Sequence, residues 1–385
     1  MRAGLVGLPN VGKSTLFNAL CRSQLAQASN YPFTTIKPQH ADAPISDPRL
    51  DTLARLSKSA KVQGWTLALK DIAGLIKGAS SGAGLGNAFL ADIRDTGAII
   101  QVVRCFEDAD IIHVDTTPNP TRDIATIETE LILADLQSVE KRLPGAKKGA
   151  AKGGAEGALH AAWLAQLQPL LAAGLPARVL AHRVEARDQP AWERLQLLTT
   201  KPMLYACNVG EGDMAGGNAM TREVAGFVAA QWEAQVKEAG SGAAPPLRAP
   251  AVRCARVEEE LALLADAGER AAFLEAYGLP RSGLDALLEG AAACLGVMPF
   301  YTTGPQESRA WTVRRGATAQ QAAGAIHSDM EAGFIRAEVL GFEELVRAGG
   351  EAAAKAAGLV RSEGKAYVVR EGDVMQFHFK APQQK

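Results

Sequence analysis

The sequence predicts an α/β fold with a parallel sheet, followed by a smaller α+β region. Short apolar runs of strand length alternate with stretches of helical periodicity, as expected where helices connect parallel strands. A glycine-containing loop separates the first of these runs, at residues 2–6, from a helix that begins at Lys13. The chain has 385 residues, of which 47% are hydrophobic, so it can bury a large core and is not disordered as a whole.

Charge and cysteine content exclude several classes of protein. The 41 basic and 42 acidic residues give a net charge of −1, which argues against a surface that is basic throughout. No run approaches the roughly 20 apolar residues that cross a bilayer, and a structured motif begins directly after Met1, so we expect a cytoplasmic protein without membrane insertion. The cysteines form no Cys-x-x-Cys pair and are expected to be reduced and mostly buried.

The predicted sheet occupies two separate stretches of the chain. Residues 13–23 are expected to form the helix after the first strand, because Leu16 and Leu20 lie on one face. Further strands are predicted at residues 66–72, 98–103, 203–208 and 251–255. The sheet domain is therefore assigned residues 1–120 and 201–300.

A helical insertion is predicted to interrupt this domain at residues 121–200. Its first helix repeats apolar residues at helical spacing from Ile124 onward, and its second helix is expected at residues 158–171. Residues 145–154 are rich in glycine, which disfavours helix, and are predicted to form the loop at the tip. The two helices are expected to pair as an antiparallel coiled coil that moves relative to the sheet domain.

Residues 301–385 are predicted to form a separate α+β domain. Alternating apolar residues predict strands at residues 311–313, 334–339, 367–369 and 376–379. The apolar spacing over residues 319–330 predicts a helix. A mixture of strands and helix of this length is sufficient for a small domain.

The strongest motif is a phosphate-binding loop. Residues 7–14 read Gly-Leu-Pro-Asn-Val-Gly-Lys-Ser and match G-x-x-x-x-G-K-[ST] between a strand and a helix. The glycines let backbone N–H groups turn toward phosphate oxygens, and the helix N-terminus adds its positive dipole end. Lys13 is expected to bridge the β- and γ-phosphates, and the Ser14 hydroxyl to coordinate Mg²⁺. The predicted nucleotide-binding residues of this loop are Asn10, Val11, Gly12, Lys13, Ser14 and Thr15.

Two further motifs stand where a nucleotide switch requires them. Asp71 ends an apolar run and is expected to hold the water shell of the magnesium ion, while the N–H of Gly74 can reach a γ-phosphate. Thr35, preferred over Thr34, is expected to complete the magnesium shell only while the γ-phosphate is present. The chain therefore carries the parts of a nucleotide-dependent switch.

These motifs resemble those of the Obg-like ATPases of the YchF subfamily, within the translation-factor-related P-loop GTPases. The matching segments are residues 7–14, 30–35, 71–79, 84–87, 103–107, 208–211, 309–312 and 321–327. The resemblance implies a P-loop G domain, a helical coiled-coil insertion and a C-terminal TGS domain of the β-grasp type. It also implies that ATP and ADP are the bound nucleotides.

The base-recognition segment departs from that of ordinary GTPases. Those proteins use Asn-Lys-x-Asp, whose aspartate accepts hydrogen bonds from two guanine N–H groups, whereas this chain has Asn208-Val209-Gly210-Glu211. The aspartate is absent, and Asp213 lies two residues too late to restore it. The resemblance implies that this pattern goes with a preference for ATP. We expect Asn208 to contact the base edge, Val209 to pack near the ring, and Glu211 to lie close without clamping guanine.

The hydrolytic residues also depart from the common pattern. Leu75 replaces the glutamine that orients the attacking water in many GTPases, so intrinsic turnover is expected to be slow or to depend on another residue, a cation or a partner. Asn10 either ligates K⁺ near the phosphates or stabilises the loop through a side-chain hydrogen bond. His113 either positions the water as a catalytic residue or is a structural residue in an apolar run.

Basic residues mark two candidate RNA-binding surfaces. The end of the insertion carries Lys141, Arg142, Lys147, Lys148 and Lys152, and the C-terminal domain carries Arg309, Arg314, Arg315, Arg336, Arg361, Lys365 and Arg370. These residues either grip a phosphodiester backbone or form an ordinary charged surface. The resemblance implies binding to the ribosome, as the large subunit or the whole particle, and to ribosomal RNA, without DNA specificity.

Two functions of different classes are compatible with these features. The first is a magnesium-dependent ATPase whose ATP and ADP states bias ribosome binding. The second is a nucleotide-sensing module that binds the ribosome or RNA and hydrolyses ATP only incidentally, which Leu75 favours. A GTPase is a third alternative, and a P-loop kinase is disfavoured because Asp71 and Gly74 are present.

Overall fold

The computed structural model describes residues 2–27, 40–72, 74, 85–113, 117–150, 154–185, 187–240, 247–264 and 266–380. The chain divides into two compact units. Within the described ranges, the first unit comprises residues 2–22, 40–41 and 68–291, and the second comprises residues 23–27, 42–67 and 292–380. None of the helices in these ranges is both long enough and apolar enough to span a membrane.

The described residues form two β-sheets and a larger set of helices. In chain order, the strands are β1 (Arg2–Val6), β2 (His40–Pro44), β3 (Lys61–Gln63), β4 (Thr66–Asp71), β5 (Ala98–Arg104), β6 (Met203–Asn208), β7 (Ala251–Arg253), β8 (Val297–Thr302), β9 (Glu307–Arg314), β10 (Phe334–Gly341), β11 (Arg361–Glu363) and β12 (Asp373–Phe379). The helices are α1 (Lys13–Gln27), α2 (Pro48–Ser57), α3 (Leu85–Arg94), α4 (Pro120–Gly149), α5 (Gly154–Ala172), α6 (Gln189–Arg194), α7 (Ala219–Glu238), α8 (Ala255–Leu261), α9 (Ala267–Ala276), α10 (Gly283–Cys294), α11 (Ala319–Ile326), α12 (Ser328–Ala332), α13 (Phe342–Ala348) and α14 (Glu351–Ala356). Short 3₁₀ helices lie at Ala177–Arg183 and Glu211–Asp213.

The first sheet has the strand order β2-β4-β1-β5-β6-β7. β1 pairs in parallel with β4 and β5, and β6 pairs in parallel with β5 and β7. Every residue of β5 and of β6 is buried, as expected for central strands that helices cover on both faces. The predicted α/β fold with a parallel sheet is confirmed. Because parallel strands end at the same edge, the residues after β1, β4 and β6 are brought together.

The last predicted strand of this sheet is shorter than expected. The prediction covered residues 251–255, but β7 ends at Arg253. Cys254 is the N-cap of α8, and Ala255 is already its first helical residue. The end of the apolar run therefore belongs to a helix whose first turn faces the phosphate loop.

The helical insertion is built on α4 and α5, which pack along each other. Their shared core includes Val139, Leu143, Trp163, Leu164 and Leu167, and it extends to Trp192 of α6 and Trp232 of α7. The predicted tip loop at residues 145–154 is wrong in its first half, because α4 continues through Gly149. Each glycine costs the helix about 1 kcal/mol, but Ala146 packs against the shared core and keeps the last turn in contact with it.

The second sheet is mixed and has the order β11-β10-β12-β8-β9-β3. β8 and β9 form an antiparallel pair, as do β10 and β12, while β12 pairs in parallel with β8. The predicted α+β character of this region is therefore confirmed. The core beneath the sheet includes Met298, Phe300, Val313, Val339 and Met375.

Two predicted elements of this region are wrong. Residues 367–369 do not form a strand, since Val368 makes only an isolated bridge to Thr318. The helix predicted at residues 319–330 divides into α11 and α12, because His327 adopts an extended backbone and caps α12 by accepting a hydrogen bond from the N–H of Asp329. The break depends on the backbone of His327, which a sequence pattern does not reveal.

Candidate nucleotide-binding site

The predicted phosphate loop connects β1 to α1. Helical hydrogen bonding begins where the N–H of Leu16 donates to the carbonyl of Gly12 at 3.0 Å. Gly12 has φ +90°, which favours glycine, and Asn10 has φ +62°. A Cβ on Gly7 would lie 2.9 Å from the carbonyl oxygen of Val102 on the neighbouring strand β5. The loop thus takes a form that its glycines make possible.

Asn208 links the base-recognition segment to this loop. Its side-chain nitrogen donates to the carbonyl of Val11 at 2.9 Å, and its side-chain oxygen accepts from the N–H of Ala255 at 2.9 Å. A Cβ on Gly12 would lie 2.1 Å from the same side-chain nitrogen. The loop, the end of β6 and the start of α8 therefore meet at one buried amide.

The neighbouring base-recognition residues lie at different depths. Val209 is buried, and its N–H donates to the carbonyl of Arg253 at 2.6 Å. Glu211 begins a 3₁₀ turn, and its Oε1 lies 3.7 Å from Nε of Arg256 on α8. The carboxylate of Glu211 is therefore exposed beside the guanidinium of Arg256, whereas Asn208 and Val209 are buried.

The lysine of the loop contacts the switch aspartate. Nζ of Lys13 forms an ion pair with Oδ1 of Asp71, which ends β4. Gly74 lies against the loop as well, since a Cβ there would be 3.3 Å from the backbone nitrogen of Pro9. The structure thus brings together Lys13, Asp71 and Gly74, as the motifs predict. Thr35 and Leu75 lie outside the described residues.

The oxygen ligands suit magnesium. Ser14 is exposed on the first turn of α1, and Asp71 supplies a carboxylate at the same edge of the sheet. The described ranges hold no group of three or more His, Cys, Asp or Glu side chains arranged as a metal site. Mg²⁺ retains several waters and takes one or two protein ligands plus phosphate oxygens, so a hydroxyl and a nearby carboxylate fit it.

Asn10 and Arg104 organise the segment beside the loop. The side-chain nitrogen of Asn10 donates to the carbonyl of Ile112 at 3.0 Å. The guanidinium of Arg104 is buried and donates to the carbonyls of Phe106, Asp108 and Ile111 at 3.2, 3.1 and 2.9 Å. Sequence reasoning assigned no role to Arg104, and a single arginine at the end of an apolar strand is the only signal for it.

His113 is buried and directed at the helical insertion. Its Nε2 lies 3.0 Å from Oδ2 of Asp123 on the first turn of α4, and its side chain is 1% exposed. This contact is the structural arrangement that a histidine in an apolar run suggests. A role in positioning water stays a prediction.

Three cysteines lie next to Asn208 and Ala255, at the base-recognition end of the site. Cys105, Cys207 and Cys254 are free cysteines, and they are buried as the sequence suggested. Contact with Cys207 and burial raise the pKa of the Cys105 thiol, and burial raises the pKa of Cys254. Because their pKa values are raised, Cys105 and Cys254 are neutral thiols at pH 7 and contribute packing rather than charge.

Two family models match the chain. One, described as "50S ribosome-binding GTPase", matches residues 2–133. The other represents the C-terminal region of YchF GTPases, is described as "Protein of unknown function (DUF933)", and matches residues 297–380.

Full-length relatives show the same similarity. The chain is 42% identical to the ribosome-binding ATPase YchF of Bacillus subtilis (strain 168) over an alignment of 381 residues. This alignment covers 98% of this chain and 99% of the relative. It is 37% identical to Obg-like ATPase 1 of Bos taurus over an alignment of 400 residues, and this alignment covers 100% of this chain and 93% of the relative. The solved structure of the Schizosaccharomyces pombe YchF GTPase aligns with a TM-score of 0.82 at 33% identity, over 98% of this chain and 97% of that one. The similarity therefore extends over both compact units.

Proposed function

The chain belongs to the YchF family, and from this premise we propose that it is a cytoplasmic, magnesium-dependent ATPase whose nucleotide state biases binding to the ribosome. The observation that best supports a nucleotide site is the contact of Asn208 with both the phosphate loop and α8. This contact fixes a base-recognition segment against a phosphate-binding loop, which is the arrangement that a bound nucleoside triphosphate requires.

The phosphates would change the partner of Lys13. In the present arrangement its ammonium group pairs with Asp71. A triphosphate in the loop offers a higher negative charge, so Lys13 would turn to the β- and γ-phosphates and Asp71 would be released toward the magnesium water shell. Ser14 and Thr35 would supply hydroxyl ligands, and the Gly74 N–H would sense the γ-phosphate. When bound, Mg²⁺ neutralises the charge that develops on the transferred phosphoryl group.

Slow hydrolysis is expected from the same residues. Leu75 cannot orient a water molecule, and His113 must leave Asp123 before it can do so. The side-chain N–H of Asn10 donates a hydrogen bond to the carbonyl of Ile112, and its side-chain oxygen is the atom that would ligate K⁺. A released His113, or a K⁺ held by Asn10, would raise the low intrinsic rate of ATP hydrolysis. A ribosome that reorganises the segment containing His113 would also raise this rate.

The end of the helical insertion is the better of the two candidate RNA surfaces. Lys141, Lys147 and Lys148 are exposed there, although Arg142 is engaged internally and donates to the carbonyl of Leu195 at 2.7 Å. In the C-terminal region, carboxylates already pair with several arginines, as in Arg315–Glu371 and Arg336–Glu338. Relatives that bear the name ribosome-binding ATPase support a ribosomal partner. Exposed lysines favour contacts with the charged RNA backbone over contacts with base edges.

Nucleotide competition is the direct test of this proposal. At fixed Mg²⁺ concentration we expect ATP to bind more tightly than GTP, and Lys13→Ala to abolish tight binding of ATP. Lys237→Ala, which changes an exposed lysine of α7, serves as the control and should bind ATP normally. Tighter binding of GTP would favour the GTPase alternative and would refute the ATP preference.

Single-turnover hydrolysis with and without ribosomes separates the two remaining functions. Ribosome-stimulated hydrolysis supports the ATPase. Ribosome binding that requires ATP but leaves the hydrolysis rate unchanged supports the nucleotide-sensing module, which Leu75 favours.

A further inference from the structure

We propose that Arg256 contributes to the nucleotide preference by holding the Glu211 carboxylate away from guanine. Arg256 is thus a positioning residue that acts through Glu211. This inference rests on the proposed preference for ATP, because it explains how a site that contains a carboxylate discriminates against guanine.

A carboxylate is already present at the guanine-reading position. In Asn-Lys-x-Asp the aspartate follows the asparagine by three residues, and Glu211 follows Asn208 by the same interval. A glutamate has two acceptor oxygens and is one methylene longer than an aspartate, so it can still accept hydrogen bonds from guanine N–H groups. The missing aspartate alone therefore does not account for discrimination against GTP.

The position of Arg256 follows from the contact between Asn208 and Ala255. Because the Ala255 N–H donates to the Asn208 side chain, the next residue of α8, Arg256, lies beside the base-recognition segment. Nε of Arg256 lies 3.7 Å from Oε1 of Glu211 and 3.7 Å from Oε1 of Glu260. A cation in the first turn of a helix opposes the helix dipole, so these two carboxylates offset an otherwise unfavourable location.

The ion pair competes with guanine for the same carboxylate. To accept both the N1–H and N2–H donors of guanine, Glu211 must turn both of its oxygens toward the base, and this weakens the contact of Oε1 with Arg256, whose guanidinium presents only donors to that edge of the base. Adenine lacks the two-donor edge and places no such demand on Glu211. The side chains of Arg256 and Glu211 are 76% and 48% exposed, so the effect is modest. We expect about a two- to five-fold change, which is the range of an exposed ion pair.

The test measures dissociation constants of the full-length chain for ATP, GTP and inosine triphosphate in the presence of Mg²⁺. In Arg256→Ala we expect GTP to bind about two- to five-fold more tightly and ATP to bind as in the parent. Inosine triphosphate lacks the 2-amino group, so its affinity should rise less than that of GTP. A change in folding alone would alter the affinities for GTP and inosine triphosphate to the same extent.

Two further variants complete the experiment. In a Glu211→Gln background, Arg256→Ala should leave the GTP-to-ATP ratio unchanged, because no carboxylate remains to be released. Arg187→Ala removes an arginine of matched exposure, 77%, which pairs with Glu185, and should not change the ratio in either background.

Each result has a definite consequence. An unchanged GTP-to-ATP ratio in Arg256→Ala, or an equal loss of both nucleotides, overturns the role of Arg256 and leaves the proposed ATPase intact. A parent protein that binds GTP more tightly than ATP refutes the proposed preference itself and removes the basis of this inference.

Discussion

Nε2 of His113 and Oδ2 of Asp123 lie 3.0 Å apart in a buried contact between the segment after β5 and the first turn of α4. The preceding residue, Ile112, accepts a hydrogen bond from Asn10 of the phosphate loop at 3.0 Å. Two consecutive residues therefore connect the phosphate loop on one side to the helical insertion on the other.

The contact is expected to stabilise the fold without contributing to nucleotide affinity. Asp123→Asn removes the negative charge but retains the shape, so we expect the free energy of unfolding to fall by about 1–3 kcal/mol, the cost of weakening a buried hydrogen bond to a charged group. The dissociation constant for ATP should not change, because Asn10 contacts Ile112 rather than Asp123. Urea denaturation and ATP titration measure the two quantities. Asp110→Asn, an exposed change in the same segment, is the control. A large loss of ATP affinity would contradict the separation of the two roles.

Gly12 is expected to tolerate no side chain. Its φ is +90°, and a Cβ would lie 2.1 Å from the side-chain nitrogen of Asn208. Gly12→Ala should therefore displace Asn208 and weaken ATP binding by at least about tenfold, equivalent to about 1.4 kcal/mol. Isothermal titration with ATP measures this effect.

The control for Gly12 is a second glycine of the same site. A Cβ on Gly210 meets no heavy atom within 4 Å, and the residue has φ −69°. Gly210→Ala should bind ATP as the parent does. Equal behaviour of the two variants would show that the close approach of Gly12 to Asn208 does not shape the site.

Local pattern was sufficient to predict β1, β6 and the phosphate loop of the nucleotide site, although not the start of α8. The boundaries of β1 and β6 match the predicted ones, because each is a short, mostly apolar run with a clear end. The phosphate loop was predictable because its glycines and Lys13 fix both backbone and chemistry in eight consecutive residues.

Features that depend on distant partners could not be predicted in this way. β3 joins the second sheet through β9, with Lys61 opposite Glu307, and no local pattern in three residues indicates that pairing. The ion pair of Arg256 with Glu211 joins two turns that are 45 residues apart in sequence, as 256 − 211 shows. The extension of α4 to Gly149 likewise depends on packing against α5, which overrides helix propensity.

Arg178 and Glu128 are expected to stabilise the base of the helical insertion only as a pair. Their side chains form a buried ion pair, and the second oxygen of Glu128 accepts hydrogen bonds from Gln231 and Gln235 of α7 at 2.6 and 3.0 Å. Glu128→Ala leaves a buried guanidinium without its carboxylate, so we expect a loss of about 3–5 kcal/mol in the free energy of unfolding.

Two comparisons identify the source of that loss. The double variant Glu128→Leu with Arg178→Met should recover most of the stability, because no buried charge remains. Arg194→Ala, which breaks an exposed pair with Glu156, should cost less than about 1 kcal/mol. If the double variant were as unstable as Glu128→Ala, then packing rather than unpaired charge would explain the effect. Urea denaturation of all variants gives these values.

His160 is expected to make the stability of the helical insertion sensitive to acid. Burial, followed by the positive charges of Arg142 and Arg194, lowers the pKa of His160 below its ordinary value of 6.5. The unfolded chain therefore takes up the proton first as the pH falls below about 6.5, and the folded state loses stability until the pH passes the lowered pKa. His160→Gln removes this titration, so the difference in urea midpoint between pH 7.5 and pH 5 should be smaller in the variant than in the parent. His182→Gln, a change at an exposed histidine, controls for the substitution itself. An identical pH dependence in parent and His160→Gln would show that other groups control the acid response.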